Sequence, residues 1–138
     1  MASILLCAIS VALWGAALFR PAFTDRDTGR TVYSGLQCLL LGWWGLFGIF
    51  RWALPWLANV FYWVSMIGSR VRHPAGRYFL VVSLITIPLA LVTYANRTIA
   101  VDEAGNTVAV TIGPAFYLWL ASMVVLVAAN IFTGLQRS

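Results

Sequence analysis

The chain reads as an all-α integral membrane protein of four to five transmembrane helices, with a helix break near Arg51–Pro55 and a small extracytoplasmic β-hairpin near residues 98–112. Three observations lead there. Of its 138 residues 62% are hydrophobic and 9% charged, with a mean hydropathy of +0.87, whereas a soluble domain is about a quarter charged. The charges are confined to short stretches between apolar runs long enough to cross a hydrocarbon core of about 30 Å. Between Thr98 and Ile112 the pattern changes to alternating β-branched residues around Glu103-Ala104-Gly105-Asn106, which is hairpin chemistry. The length suits one transmembrane domain, residues 1–138.

Ala2–Phe19 is an apolar run of about 18 residues, enough for one crossing. No basic segment precedes it and no small-residue cleavage site follows, so a retained helix is expected rather than a removed signal peptide. Arg20-Pro21 ends it. Arg20–Ser34 reads as a polar loop whose Asp25, Arg26, Asp27 and Arg30 form exposed local pairs worth about 0–1 kcal/mol.

Gly35–Gly68 holds five of the seven tryptophans. As one straight helix it would run about 50 Å, at roughly 1.5 Å per residue, too long for a single crossing. Pro55 lacks an N–H and clashes with the preceding turn. Arg51, one turn earlier, would cost roughly 2.5–3.5 kcal/mol at the bilayer centre. A break at Arg51–Pro55 relieves both. The segment then forms either two short helices, Leu36–Phe50 and Trp56–Ile67, or one broken crossing with Arg51 buried among neighbouring helices. Gly42, Gly45 and Gly48 fall broadly on one side of a helix, where small residues admit a second helix. Trp52 and Trp56 suit a headgroup level or a core.

Ser69–Arg77 carries Arg70, Arg72, Arg77 and the single histidine, His73, and marks a cytoplasmic loop. Tyr78–Tyr94 is a further crossing, kinked at Pro88. A hairpin of two strands is marginal alone, so it should rest on the loop before Gly35 or on a partner. Asn96-Arg97-Thr98 spells a glycosylation tripeptide, a weak pattern. Ala115–Thr133 is the last crossing, with Tyr117 and Trp119 at its interface. Cys7 and Cys38 lie in apolar runs and read as small buried hydrophobes.

All nine basic residues are arginine, and the net charge is +5. Five crossings place seven arginines inside and two outside; four crossings divide eight evenly and bury Arg51. Both arrangements put loop 69–77 and the C-terminus in the cytoplasm and loop 95–114 outside. They differ on the side of the 20–34 loop and of the N-terminus. The basic balance therefore reports lipid headgroup contact, not nucleic acid.

Three runs of residues, Ser34-Gly35-Leu36-Gln37-Cys38-Leu39-Leu40-Leu41-Gly42-Trp43, Trp56-Leu57-Ala58-Asn59 and Phe116-Tyr117-Leu118-Trp119-Leu120-Ala121-Ser122, resemble in order and spacing a group of small polytopic bacterial inner-membrane proteins to which no activity is assigned. In that group a proline follows the asparagine; here Val60 does, and proline stands earlier, at Pro55. The resemblance implies the bacterial cytoplasmic (inner) membrane and no particular reaction.

No P-loop, dinucleotide fingerprint, C-x-x-C or H-E-x-x-H occurs, and all four carboxylates lie in the two loops, which excludes a carboxylate proton relay through helices. A non-enzymatic chain without cofactor or metal is expected. Its function would be that of an accessory, assembly or immunity-type subunit binding another integral membrane protein, or itself, alongside membrane lipids. Arg51, Asn59, Gly42, Gly45, Gly48, Trp52 and Trp56 are its candidate partner- or lipid-binding residues. A homo-oligomeric channel or small transporter with Arg51 lining an anion path is the alternative. A quinone- or pigment-binding redox subunit using the aromatic face is a third.

Overall fold

The computed structural model describes residues 2–47, 50–70, 76–100 and 106–135. Four long helices surround the core and a four-stranded antiparallel sheet covers one end of them. Helix α1 spans Ala2–Leu18. It closes with tight turns, Phe19 N–H to the Ala16 carbonyl and Arg20 N–H to the Ala17 carbonyl, both 3.3 Å, before Pro21 forbids continuation.

Strands β1 (Pro21–Asp25) and β2 (Thr31–Ser34) follow. Asp25 Oδ1 accepts from the backbone N–H of Asp27 at 2.8 Å and of Thr28 at 3.3 Å, and Gly29 supplies the positive φ of 68° that turns the chain back. Helix α2 (Gly35–Leu41) opens with a capping box. Ser34 Oγ accepts from Gln37 N–H at 3.3 Å, and Gln37 Oε1 accepts from Ser34 N–H at 2.9 Å. A 3-10 segment, Gly42–Phe47, leads toward α3 (Phe50–Gly68). Helix α4 (Gly76–Leu91) ends in a second 3-10 turn, Val92–Ala95. Strands β3 (Thr98–Ala100) and β4 (Thr107–Ile112) precede α5 (Pro114–Leu135), which Pro114 opens at a position where its missing N–H costs nothing.

The sheet order is β2-β1-β4-β3. Strand β1 pairs with β4 through Phe23↔Ile112, Thr24↔Thr111 and Asp25↔Val110. The Thr24 and Thr111 hydroxyls meet at 2.7 Å, and Gly113 N–H donates to the Ala22 carbonyl at 2.8 Å. Two glycines permit the close approach of sheet and helices. A Cβ on Gly35 would strike the Ala17 carbonyl, and one on Gly113 the Pro21 carbonyl.

The core joins Cys7 of α1, Ala58, Tyr62 and Met66 of α3, Ala90 of α4, and Met123, Leu126 and Ala129 of α5. Buried hydroxyls stitch it. Ser10 Oγ donates to the Ser122 carbonyl at 2.7 Å; its single hydrogen being spent, it accepts from the Tyr62 hydroxyl at 2.8 Å. Asn130 Nδ2 donates to Ser65 Oγ at 2.8 Å, which in turn donates to the Phe79 carbonyl at 2.8 Å.

Several expectations are corrected. Among the described residues two helices, not four or five, are long and apolar enough to cross a membrane: Tyr78–Ala95 and Pro114–Gly134. Helix α1, at 17 residues, reaches about 25 Å, and the apolar Ala53–Gly68 about 24 Å, both short of a core of about 30 Å. The multi-pass cytoplasmic-membrane threading is therefore withdrawn, with its cytoplasmic 69–77 loop and C-terminus and its external 95–114 loop; residues 71–75, His73 among them, lie outside the described part.

The expected hairpin is half of a four-stranded sheet, because the 20–34 segment is two strands rather than a loop. The pairing of β1 with β4 puts both segments on one side and rules out the five-crossing arrangement. The central stretch is interrupted after Leu41, through Gly42–Phe47, and not at Arg51–Pro55. Arg51 and Pro55 both lie within α3. Pro55 is its sixth residue, near enough to the start that the carbonyl it would crowd belongs to the first turn.

Candidate ligand cavity

Three tryptophans from three distant parts of the chain converge beneath the sheet. Trp14 comes from α1, Trp56 from α3 and Trp119 from α5. Indole N–H groups donate only, so each buried one requires an acceptor. Trp14 Nε1 and Trp119 Nε1 both donate to Asn59 Oδ1, at 3.1 and 2.9 Å. Trp56 Nε1 donates to the Leu39 carbonyl of α2 at 2.9 Å. Two donors on one atom identify that atom as the amide oxygen and fix the orientation of Asn59.

Ring contacts hold this frame. Trp14 stacks on Tyr62 at 6.4 Å and meets Trp63 edge-on at 5.1 Å. Phe116 lies edge-on to Trp119 at 6.1 Å and to Tyr94 at 5.0 Å. The frame borders an open-sided cavity of about 440 Å³. Its lining includes Ala22, Phe23 and Ile99 of the sheet, Cys38 and Leu39 of α2, and Trp14, Trp56, Asn59 and Trp119 of the long helices. A mostly apolar site of some 300–1,000 Å³ with a few placed polar groups is what a small-molecule pocket looks like. Among the described residues the lining has no carboxylate, histidine or arginine.

Asn96 contributes the second amide. It ends the 3-10 turn after α4, its N–H donating to the Thr93 carbonyl at 3.0 Å. It is 7% exposed, and its Oδ1 has no hydrogen-bond partner. An unsatisfied buried acceptor costs about 1–3 kcal/mol, a condition that Asn130 Oδ1 in the helical core shares. Burial also removes Asn96 as a glycosylation acceptor.

Of the residues singled out in the sequence, Gly42, Trp56 and Asn59 come together at the cavity. Gly42 faces the Trp56 ring, 2.6 Å from which an added Cβ would fall, so its open side is occupied within the chain. Gly45 lies in the 3-10 segment, and Gly48 lies outside the described residues. Arg51 and Trp52 sit in the first turn of α3, with side chains outside the described part, and the anion path assigned to Arg51 is not carried forward. Trp14, Trp119 and Asn96 were missed. The signal for Asn96 was a polar residue directly at the end of an apolar run.

Among the described residues no group of three or more His, Cys, Asp or Glu side chains is placed to hold a metal. No protein-family model, curated protein or solved structure matches the chain.

Proposed function

We propose that the chain is a membrane-associated binding protein, not an enzyme, and that it holds one apolar or amphiphilic molecule beneath its sheet. The observation that carries this reading is the cavity of about 440 Å³ framed by Trp14, Trp56 and Trp119, with an apolar lining broken mainly by amides. A lipid surrounding is supported by the two span-length helices, of whose windows only 22% and 39% are buried. Their outward apolar residues include Val81, Leu84 and Ile85 on α4 and Val124, Ile131 and Phe132 on α5. Burying such side chains is worth about 1.5–3 kcal/mol each, which a lipid phase supplies and water does not.

Tryptophan fluorescence tests it. A neutral monoacylglycerol carrying a dibrominated chain is titrated into the protein in detergent micelles. Saturable quenching of the cavity indoles is expected, together with its loss in Cys38→Phe, which places a ring in the cavity. Quenching that rises linearly with probe and is unchanged in Cys38→Phe overturns the reading.

A second reading keeps the interaction subunit. Leu36, Leu40, Leu41 and Trp44 form an exposed apolar belt on α2 and the following 3-10 segment. Such a belt suits another membrane protein. Purification at native abundance tests this: a chain that elutes without a stoichiometric companion counts against it.

A further inference from the structure

The cavity is lined by residues of graded exposure. Ala22 of β1, Thr93 of the second 3-10 turn, and Ala115 and Phe116 at the start of α5 line it and are at most 8% exposed. Leu41, at the end of α2, and Trp44, in the first 3-10 segment, line it as well, yet they are 49% and 61% exposed. The cavity is therefore closed toward the start of α5 and open along α2 and the 3-10 segment that follows.

That mouth is apolar. Leu36 and Leu40, one turn apart on α2 and outside the lining, are exposed beside it, and so is Trp43. Gln37 is the polar residue there, uncharged, with its amide oxygen engaged by Ser34 N–H. From Thr31 to Phe50 the sequence carries no charged residue. The apolar surface also runs on to either side. Gly35 seats α2 against Ala17 of α1, and Gly42 seats the 3-10 segment against Trp56 of α3. Both flanking helices turn apolar side chains outward, Ile4, Leu5 and Ile9 on α1 and Val60, Val64 and Ile67 on α3. Contiguous exposed apolar surface of this kind marks contact with a membrane or with another protein. A protein seated on α2 would close the mouth beneath it, whereas fluid hydrocarbon leaves it passable.

Resting on the cavity reading above, we infer that the cavity takes its ligand sideways out of the lipid phase, through the mouth along α2 and the 3-10 segment. The ligand is a neutral molecule dissolved in the membrane, since among the described residues the lining offers no ionised group to hold a charged one. Lipid chains meet Leu36, Leu40 and Leu41. The paired rings of Trp43 and Trp44, 4.9 Å apart, stand at the headgroup boundary that indoles favour.

The whole protein in liposomes tests this. A nitroxide attached at Leu40→Cys, in a Cys7→Ala and Cys38→Ala background, should collide with dissolved oxygen about fivefold more often than with a water-soluble nickel chelate. Leu36→Glu with Leu40→Glu places charges beside the mouth without altering the lining. Both leucines are exposed, so the double variant keeps its fold, checked by circular dichroism. Flash release of dibrominated monoacylglycerol from a photolabile ester already in the bilayer starts loading with no step through water. The ensuing tryptophan quenching should be about fivefold slower in the double variant, while its equilibrium quenching in micelles matches that of the unaltered protein. A nitroxide that meets the nickel chelate more often than oxygen, or an unchanged loading rate, overturns the lateral mouth and leaves the cavity reading standing. A nitroxide shielded from both reagents marks a second copy seated on α2 and overturns the mouth as well. Absence of saturable quenching of the unaltered protein in micelles overturns the cavity reading itself.

Discussion

Trp119 donates its indole N–H to Asn59 Oδ1 at 2.9 Å, a bond across 60 positions of sequence that ties α5 to α3. Because Trp14 uses the same oxygen, one amide anchors three helices. Asn59→Leu should strand two indole donors and lower stability by about 1–3 kcal/mol, whereas Trp119→Phe, which removes one donor with its bond, should cost about 0.5–1.5 kcal/mol. Unfolding followed by far-ultraviolet circular dichroism in a mixed-detergent titration measures both. Equal losses in the two variants would show that the shared acceptor is not the anchor.

Glycine substitutions should divide by place. Gly35→Ala and Gly113→Ala drive a methyl into the backbone of Ala17 and Pro21, and a cost of about 1–3 kcal/mol is expected. Gly15 and Gly134 have nothing within 4 Å of an added Cβ and lie in helices. Alanine there should be neutral or stabilising by up to about 1 kcal/mol. Thermal midpoints of the four variants decide it, and a uniform response would refute the close approach of sheet and helix.

Ser10→Ala removes the acceptor of the buried Tyr62 hydroxyl and should cost about 1–3 kcal/mol. Adding Tyr62→Phe removes the stranded hydroxyl, and the double variant should recover part of the loss. Denaturant midpoints closing a double-mutant cycle would reveal the coupling; strict additivity would deny it.

The β1–β2 turn should loosen in acid. The backbone N–H of Asp27, then the Thr28 side chain, hold the Asp25 carboxyl below its ordinary value of 3.8. A depressed carboxyl contributes stability that is present above the ordinary value and lost as pH falls through the lowered one. Amide exchange of Asp27, Thr28 and Gly29 should therefore quicken only below about pH 4, near the unperturbed carboxylate range. A profile flat through this range would remove Asp25 from the turn.

Length and composition located the helical runs at the start of the chain, after Gly76 and after Pro114, because long apolar stretches bounded by Arg20-Pro21, Gly76 and Pro114 leave little choice. They did not count membrane crossings. A helix shortens when its ends are claimed by tertiary partners, as Gly35 is claimed by Ala17 and Gly42 by Trp56. The sheet was half legible. Thr98–Ile112 alternates, but Pro21-Ala22-Phe23-Thr24-Asp25 does not, and it becomes a strand through pairing with β4. At the cavity, Trp56 and Asn59 stood out by type. Trp14 and Trp119 looked like ordinary interface anchors, since nothing local states that two indoles will share one amide.

Strand β1 waits for a partner made 87 residues later, the separation between Thr24 and Thr111. As the polypeptide emerges from the ribosome at about 5–20 residues per second, the β1–β2 pair keeps one bare edge for several seconds. During that interval Asn59 has only one of its two indoles. Assembly is thus a race between late arrival of the last helix and capture of that edge by another chain. Nascent fragments ending before Thr107 should be the species that cross-link to neighbours or to chaperones.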